Sequence, residues 1–332
     1  RQLQATWCRT PQRHPILRTG FIWEGLDEPL QRVQREAVTP WAEHDLRDAA
    51  CAEQQQILST FLRADRRRDF DLAAPPLMRM ALFRLKTHAY QLVWTFHHLL
   101  LDGWSLPLLL RDLAILYEAA SQGQEARLSP VRPFRDYIAW LKAQNRERTE
   151  SFWREALRGF HAPTTLPRRV ERLEPGSSLF VEHEAELPIA TYRAVERLAR
   201  THGVTITTIL QGAWALLLSR YSGDQDVVFG LTQSGRSTGL AGQDAMVGLF
   251  INTLPVRATL SADPSVTDWL RDLQARQVAQ LPHSFVALAD VQRWSELPRG
   301  QALFETLLVV ENYPLADMPQ SRVLPISQPR IV

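Results

Sequence analysis

The stretch T-H-A-Y-Q-L-V-W-T-F-H-H-L-L-L-D-G-W-S-L-P-L-L-L, Thr87 to Leu110, changes its period half-way along. Up to His98 it is aromatic and β-branched, the composition of a strand, and it is entered from a basic turn at Arg84 to Lys86. If the alternation runs to His98, Tyr90, Leu92, Trp94, Phe96 and His98 share one face, and Gln91, Val93, Thr95 and His97 share the other. The adjacent histidines then have different jobs. Beyond them Asp102-Gly103 reads as a turn, Ser105 as a helix N-cap and Pro107 as a first-turn residue. Leu106, Leu109, Leu110, Leu113 and Leu116 follow at helical spacing, so strand, tight turn and amphipathic helix succeed one another.

A comparable unit recurs downstream. Thr208 to Tyr221 has a helical pattern, Ser222-Gly223-Asp224 a turn, and Asp226 to Gly230 a strand. Further strands are expected at Leu249 to Arg257 and Phe304 to Tyr313. Between the two halves, His161 to Ser178 is rich in Pro and Arg with little periodicity, the best candidate linker, and the second half begins near Leu179. Arg66 to Arg68 is a short charge run that reads as a solvated segment between helix and strand.

With 332 residues, 45% of them hydrophobic and 22% charged, the chain has the make-up of a globular protein of two lobes. A net charge of +2, with bases scattered among acids, argues against nucleic acid as a partner. Two cysteines, Cys8 and Cys51, argue against a disulfide framework and for a reducing compartment where thiols behave as small apolar groups. No Cys/His metal spacing, signal peptide or membrane-length apolar run is present, so no membrane is expected and the cytoplasm is the default location. The chain starts within a helical pattern and ends without a stop signal, as expected of a fragment of something longer.

Histidine titrates nearest working pH and suits proton transfer during attack of an amine or alcohol on an acyl group. Asp102, four residues after His98, either orients the histidine or holds the turn through an ion pair, while Gly103 supplies a backbone conformation closed to other residues. The sequence leaves both open. Each of these residues also has a bland reading, as a half-buried strand histidine or a plain turn, but the spacing H-H-x-x-x-D-G between an apolar strand and an amphipathic helix is specific.

That pattern resembles the active-site motif of condensation domains of nonribosomal peptide synthetases, in the chloramphenicol acetyltransferase-like superfamily. R-H-P-I-L-R-T-G-F (Arg13 to Phe21), F-R-D-Y-I-A-W (Phe134 to Trp140), M-V-G-L-F-I-N-T-L-P-V-R (Met246 to Arg257) and R-G-Q-A-L-F-E-T-L-L-V-V-E-N-Y-P (Arg299 to Pro314) are similar to other motifs of the family, in order. The family's first motif would precede Arg1, and its domain continues past Val332, so the resemblance implies truncation at both ends.

The resemblance implies an α/β fold of two acetyltransferase-like sandwich lobes arranged as a V-shaped pseudo-dimer. The lobes would span 1–165 and 179–332, the second incomplete, with a linker at 166–178. It implies peptide-bond formation between a donor acyl or peptidyl thioester and the amine of an acceptor aminoacyl thioester, L-donor to L-acceptor by the wording of its motifs. Both substrates would arrive on phosphopantetheine arms of donor and acceptor carrier domains, beside adenylation and carrier domains of one synthetase, with no cofactor bound here. His98 would stand at the reaction centre as general base or positioning group, with His97 in a supporting hydrogen bond and the Gly103 N–H near the oxyanion. Asp102 would form a structural ion pair with Arg236 of the other lobe, and Asn252, Trp104 and Ser234 would line the substrate tunnel. Arg13 and Arg18 look structural, and His14 and His283 are left outside the site. Two rivals differ in what they bind: a coenzyme A-dependent acyltransferase of the same superfamily, and an inactive carrier-docking module.

Overall fold

The computed structural model describes residues 2–166, 182–236, 239–260 and 265–311. Helices α1 (Gln2–Trp7) and α2 (Thr10–Arg13) precede strands β1 (Thr19–Ile22), β2 (Leu30–Val33) and β3 (Trp41–Asp45). There follow α3 (Cys51–Arg66), β4 (Met78–Lys86), β5 (Ala89–Phe96), α4 (Ser105–Ser121) and α5 (Arg135–Lys142). The rest comprises α6 (Arg146–Ala156), α7 (Ile189–His202), α8 (Ile206–Ser222), β6 (Asp226–Gln233), β7 (Asn252–Thr259), α9 (Val266–Gln280), α10 (Leu288–Trp294) and β8 (Leu307–Val309). The fold is α/β, as expected.

Packing divides the described residues into two units, one of 2–142 with 239–250, the other of 143–236 with 251–311. The first holds an antiparallel β1–β2 pair and a sheet ordered β3-β4-β5, β3 parallel and β5 antiparallel to β4. β5 pairs with β4 from Phe96 opposite Met78 to Tyr90 opposite Arg84 and, past an irregularity, Ala89 opposite Lys86. Its core gathers Trp7, Leu17, Leu77, Met78, Leu100 and Leu109 with Phe250 from the later segment. On α4 the buried positions include Leu106, Leu109, Leu113 and Leu116, the stripe read from the sequence, whereas Leu110 is only half-buried. Asp112 is buried on the same helix because Arg13 Nε and His14 Nε2 lie 2.7 and 2.9 Å from its Oδ2. His14 and Arg13 are thereby accounted for as structure, and Arg18 likewise bonds backbone carbonyls of Pro11 and Gln34.

The second unit has a sheet ordered β7-β6-β8, with β7 antiparallel and β8 parallel to β6. The Thr205 hydroxyl caps α8 by accepting the Thr208 N–H at 3.0 Å, and Gly223 ends that helix at φ +84°, where glycine alone is unstrained. The expected helix and turn are both found; the strand at Asp226 runs on to Gln233, and that at Phe304 is confined to Leu307–Val309 within the described residues. Residues 143–166 pack with this unit through Trp153, 2% exposed, whose Nε1 donates to the His283 carbonyl at 3.0 Å. Packing therefore divides the chain at residue 142, ahead of the 166–178 linker, which apart from Leu166 lies outside the described residues. His283 stacks on Phe152, with Nδ1 3.1 Å from Thr149 Oγ1, a satisfied core histidine. Cys8 and Cys51 are free and exposed rather than small core groups. Among the described residues no helix is long and apolar enough to cross a membrane.

Candidate active site

Strand β5 ends at Phe96, two residues short of the expected end. The His97 N–H still donates to Leu77 O at 2.9 Å, but its carbonyl accepts the Leu100 N–H at 3.0 Å, turning the chain. The alternation of faces therefore does not reach His98, which is placed by a turn and not by the pleat. The two histidines nonetheless differ. His97 is half-buried and its Nδ1 accepts the Leu99 N–H at 3.1 Å, a bond that requires that nitrogen to carry no proton. Burial, and then the neighbouring His98, push the His97 pKa down and keep it in that form. His98 is exposed, and nothing among the described residues hydrogen bonds to its imidazole. It is the ring of the pair that is open to a substrate.

The turn is anchored from below. Leu100 and Leu101 are fully buried. Asp102, 1% exposed, accepts the Ser105 N–H and hydroxyl on Oδ1 at 2.9 and 2.8 Å, and the Phe250 N–H on Oδ2 at 3.1 Å. The N-cap position is Trp104, which makes no side-chain cap bond; Asp102, two residues earlier, accepts the first helical N–H, and Ser105, expected to be the cap, is the first helical residue. Gly103 is not among the described glycines with positive φ, so backbone conformation is not what calls for glycine there. Trp104 stands half-buried just before α4 at φ −70°, ψ −23°.

Three of the sequence motifs meet here. The Ser105 hydroxyl reaches Gly248 O at 2.9 Å and accepts the Gly248 N–H at 3.1 Å. Gly248 lies against Phe134, and Phe134 and Tyr137 pack on Phe250 with ring centroids 5.1 and 4.6 Å apart. Sequence reasoning misses this link because its ends are far apart in the chain; the signal available is the pairing of two motifs whose partners the sequence does not name.

The other expected site residues belong to the second unit. Ser234 and Arg236 flank Gly235, which has φ +61°, in the bend after β6, where the Arg236 N–H points to Ser234 Oγ at 3.5 Å. Asn252 opens β7 and gives both amide hydrogens to backbone, to Ser284 O at 2.8 Å and Val286 O at 2.7 Å, the local structural bond that a strand asparagine can make. His97, His98, Asp102, Gly103 and Trp104 are thus brought together in the first unit, and Ser234, Arg236 and Asn252 lie in the other. No cluster of potential metal ligands occurs among the described residues.

A family model described as the condensation domain matches residues 1–326. The chain belongs to the condensation-domain family. It is 45% identical over 312 residues to a linear gramicidin synthase chain of Brevibacillus parabrevis, covering 94% of this chain and 6% of that protein. Chondramide synthase cmdD of Chondromyces crocatus is 42% identical over 95% of this chain and 8% of its own length. The chain thus spans a small part of the curated relatives it matches. Among solved structures, the first condensation domain of the calcium-dependent antibiotic synthetase superposes with a TM-score of 0.74 at 20% identity, over 97% of this chain and 74% of that one. The X-domain from teicoplanin biosynthesis gives 0.73 at 24% identity, over 92% and 69%. At such identities the likeness shows the condensation-domain fold, and the family assignment rests on the sequence matches.

Proposed function

We propose that this condensation domain forms a peptide bond between a donor acyl or peptidyl thioester and the α-amine of an acceptor aminoacyl thioester, joining an L-donor to an L-acceptor in nonribosomal peptide synthesis. Both substrates ride on phosphopantetheine arms of carrier domains, which with adenylation domains are its partners in a cytoplasmic synthetase; the domain itself binds no cofactor. The observation that carries this reading is His98, exposed on a turn whose base is fixed by His97, Asp102 and Ser105.

The amine nitrogen attacks the thioester carbonyl, the C–N bond forms and the C–S bond breaks. The proton given up by the amine ends on the departing sulfur. In this reading His98 either positions the amine by a hydrogen bond or takes that proton as general base, the latter a contribution typically about 10²–10⁴-fold when the transfer is rate-limiting. The Gly103 N–H faces the developing oxyanion in this reading.

Single-turnover assays with each donor carried either on a carrier domain or on coenzyme A test the reading. Carrier-bound dipeptide formed only from carrier-bound donor is expected. Equal product from the coenzyme A thioester would replace it with a soluble acyltransferase.

A further inference from the structure

We propose that Ser105 is a positioning residue for this reaction: its hydroxyl joins the Asp102 carboxylate to the backbone of Gly248 and thereby sets the turn that presents His98. The inference rests on the amide-forming reading above for its kinetic consequence, and on geometry for the rest. Ser105 is 0% exposed at the first position of α4. Its Oγ is 2.8 Å from Asp102 Oδ1 and 2.9 Å from Gly248 O, and it accepts the Gly248 N–H at 3.1 Å. A hydroxyl has one proton and two lone pairs, so the two oxygens compete for one hydrogen. The group binds the turn and the later segment together only while both are within reach.

The later segment is a firm reference. Asp102 donates its N–H to Gly248 O at 3.2 Å and accepts the Phe250 N–H, so residues 248 and 250 are held from the turn at several points. On its other side Gly248 is closed off by the Phe134 ring, Cδ2 of which would stand 2.1 Å from any added Cβ. Residue 248 thus has no room on that side for a side chain. Ser105 therefore fixes the register between them together with Asp102, and with it the backbone from which His97 and His98 project.

Removing the hydroxyl deprives a buried N–H of its acceptor and Asp102 of a donor, which frees the turn to shift. A displacement of about 1 Å at a reacting group costs on the order of 10²-fold, so Ser105→Ala is expected to slow single-turnover amide formation about 10- to 100-fold with carrier affinity unchanged. Because the effect passes through His98, Ser105→Ala in a His98→Ala background should cost nothing further. A purely structural role would cost the same in both. Ser105→Cys keeps the volume with a weak hydrogen-bonding group and serves if the alanine variant fails to fold.

The test compares wild type, Ser105→Ala, Ser105→Cys and their His98→Ala doubles in the complete condensation domain. It reads amide formation together with the imidazole NMR signals of His98 and hydrogen exchange at Leu99, Gly248 and Phe250. A rate loss confined to the His98 background, shifted His98 signals and exchange faster by about tenfold support the proposal. An unchanged rate, or the same loss with and without His98, overturns it. If the wild type itself forms no amide, the functional reading fails, and the NMR comparison decides alone: unchanged His98 signals and exchange in Ser105→Cys overturn the positioning role, and changed ones sustain it.

Discussion

Gly248 has room for hydrogen and no more, since an added Cβ would lie 2.1 Å from Phe134 Cδ2 and 2.6 Å from its Cε2. Phe134 is 6% exposed and packed against Phe250, so its ring cannot swing away as a flexible chain end would. Gly248→Ala is expected to cost about 1–3 kcal/mol through overpacking, read as a lower urea midpoint at unchanged m-value. An unaltered midpoint would mean that Phe134 yields more easily than its packing suggests. At this scale the sequence shows which residues matter better than what each does. His98 and Asp102 can be picked out because their spacing is local. The link from Ser105 to Gly248 spans 143 positions and leaves no periodic trace, so from sequence Ser105 reads only as the cap of its own helix.

Elements are legible where side-chain periodicity and end signals coincide. The leucine stripe of α4 is buried as expected except at Leu110, which is half-buried, and the turn after α8 is closed by Gly223. Strand β5 reads two residues too long because His97 and His98 continue an apolar run, while backbone bonding ends the pleat by closing the His97 to Leu100 turn. The helix ends allow a direct check. The Thr205 hydroxyl accepts the Thr208 N–H, and α9 reaches the same cap through Gln274 Oε1, which accepts the Thr205 N–H at 2.8 Å. Thr205→Ala is expected to destabilise the second unit by about 0.5–2 kcal/mol, and Thr205→Ser to restore most of it. Equal unfolding curves for the alanine and serine variants would show that the cap contributes nothing.

Over the whole molecule, acid should weaken the fold in two stages. Burial lowers the pKa of His97, assisted by His98, and of His283, assisted by Arg148. The unfolded chain then takes up these protons first, so stability is complete above and declines as pH falls through about 6.5. For Asp65 and Asp112 burial pushes upward, but hydrogen bonds from Arg79 and Thr95 to the one, and from His14 and Arg13 to the other, bring both below the usual carboxylate range. Their contribution is present above about 3.9 and is lost as pH drops further. Unfolding free energies measured from pH 8 to 3 should be level at first, decline below about 6.5 and fall again below about 4; a level profile between pH 7.5 and 5 would contradict neutral buried imidazoles. The division by packing is the least legible feature. A linear reading cannot show that residues 239–250 pack with 2–142, nor that Trp153 anchors 143–166 in the other unit. The role proposed above for His98, exposed on its pinned turn, is to carry amide formation. It is tested most directly by single-turnover intact-mass measurement of carrier-bound dipeptide in the complete domain, wild type against His98→Ala. A loss of about 10²-fold or more in the variant, at unchanged carrier binding, is the predicted result. Equal rates from both proteins would contradict it.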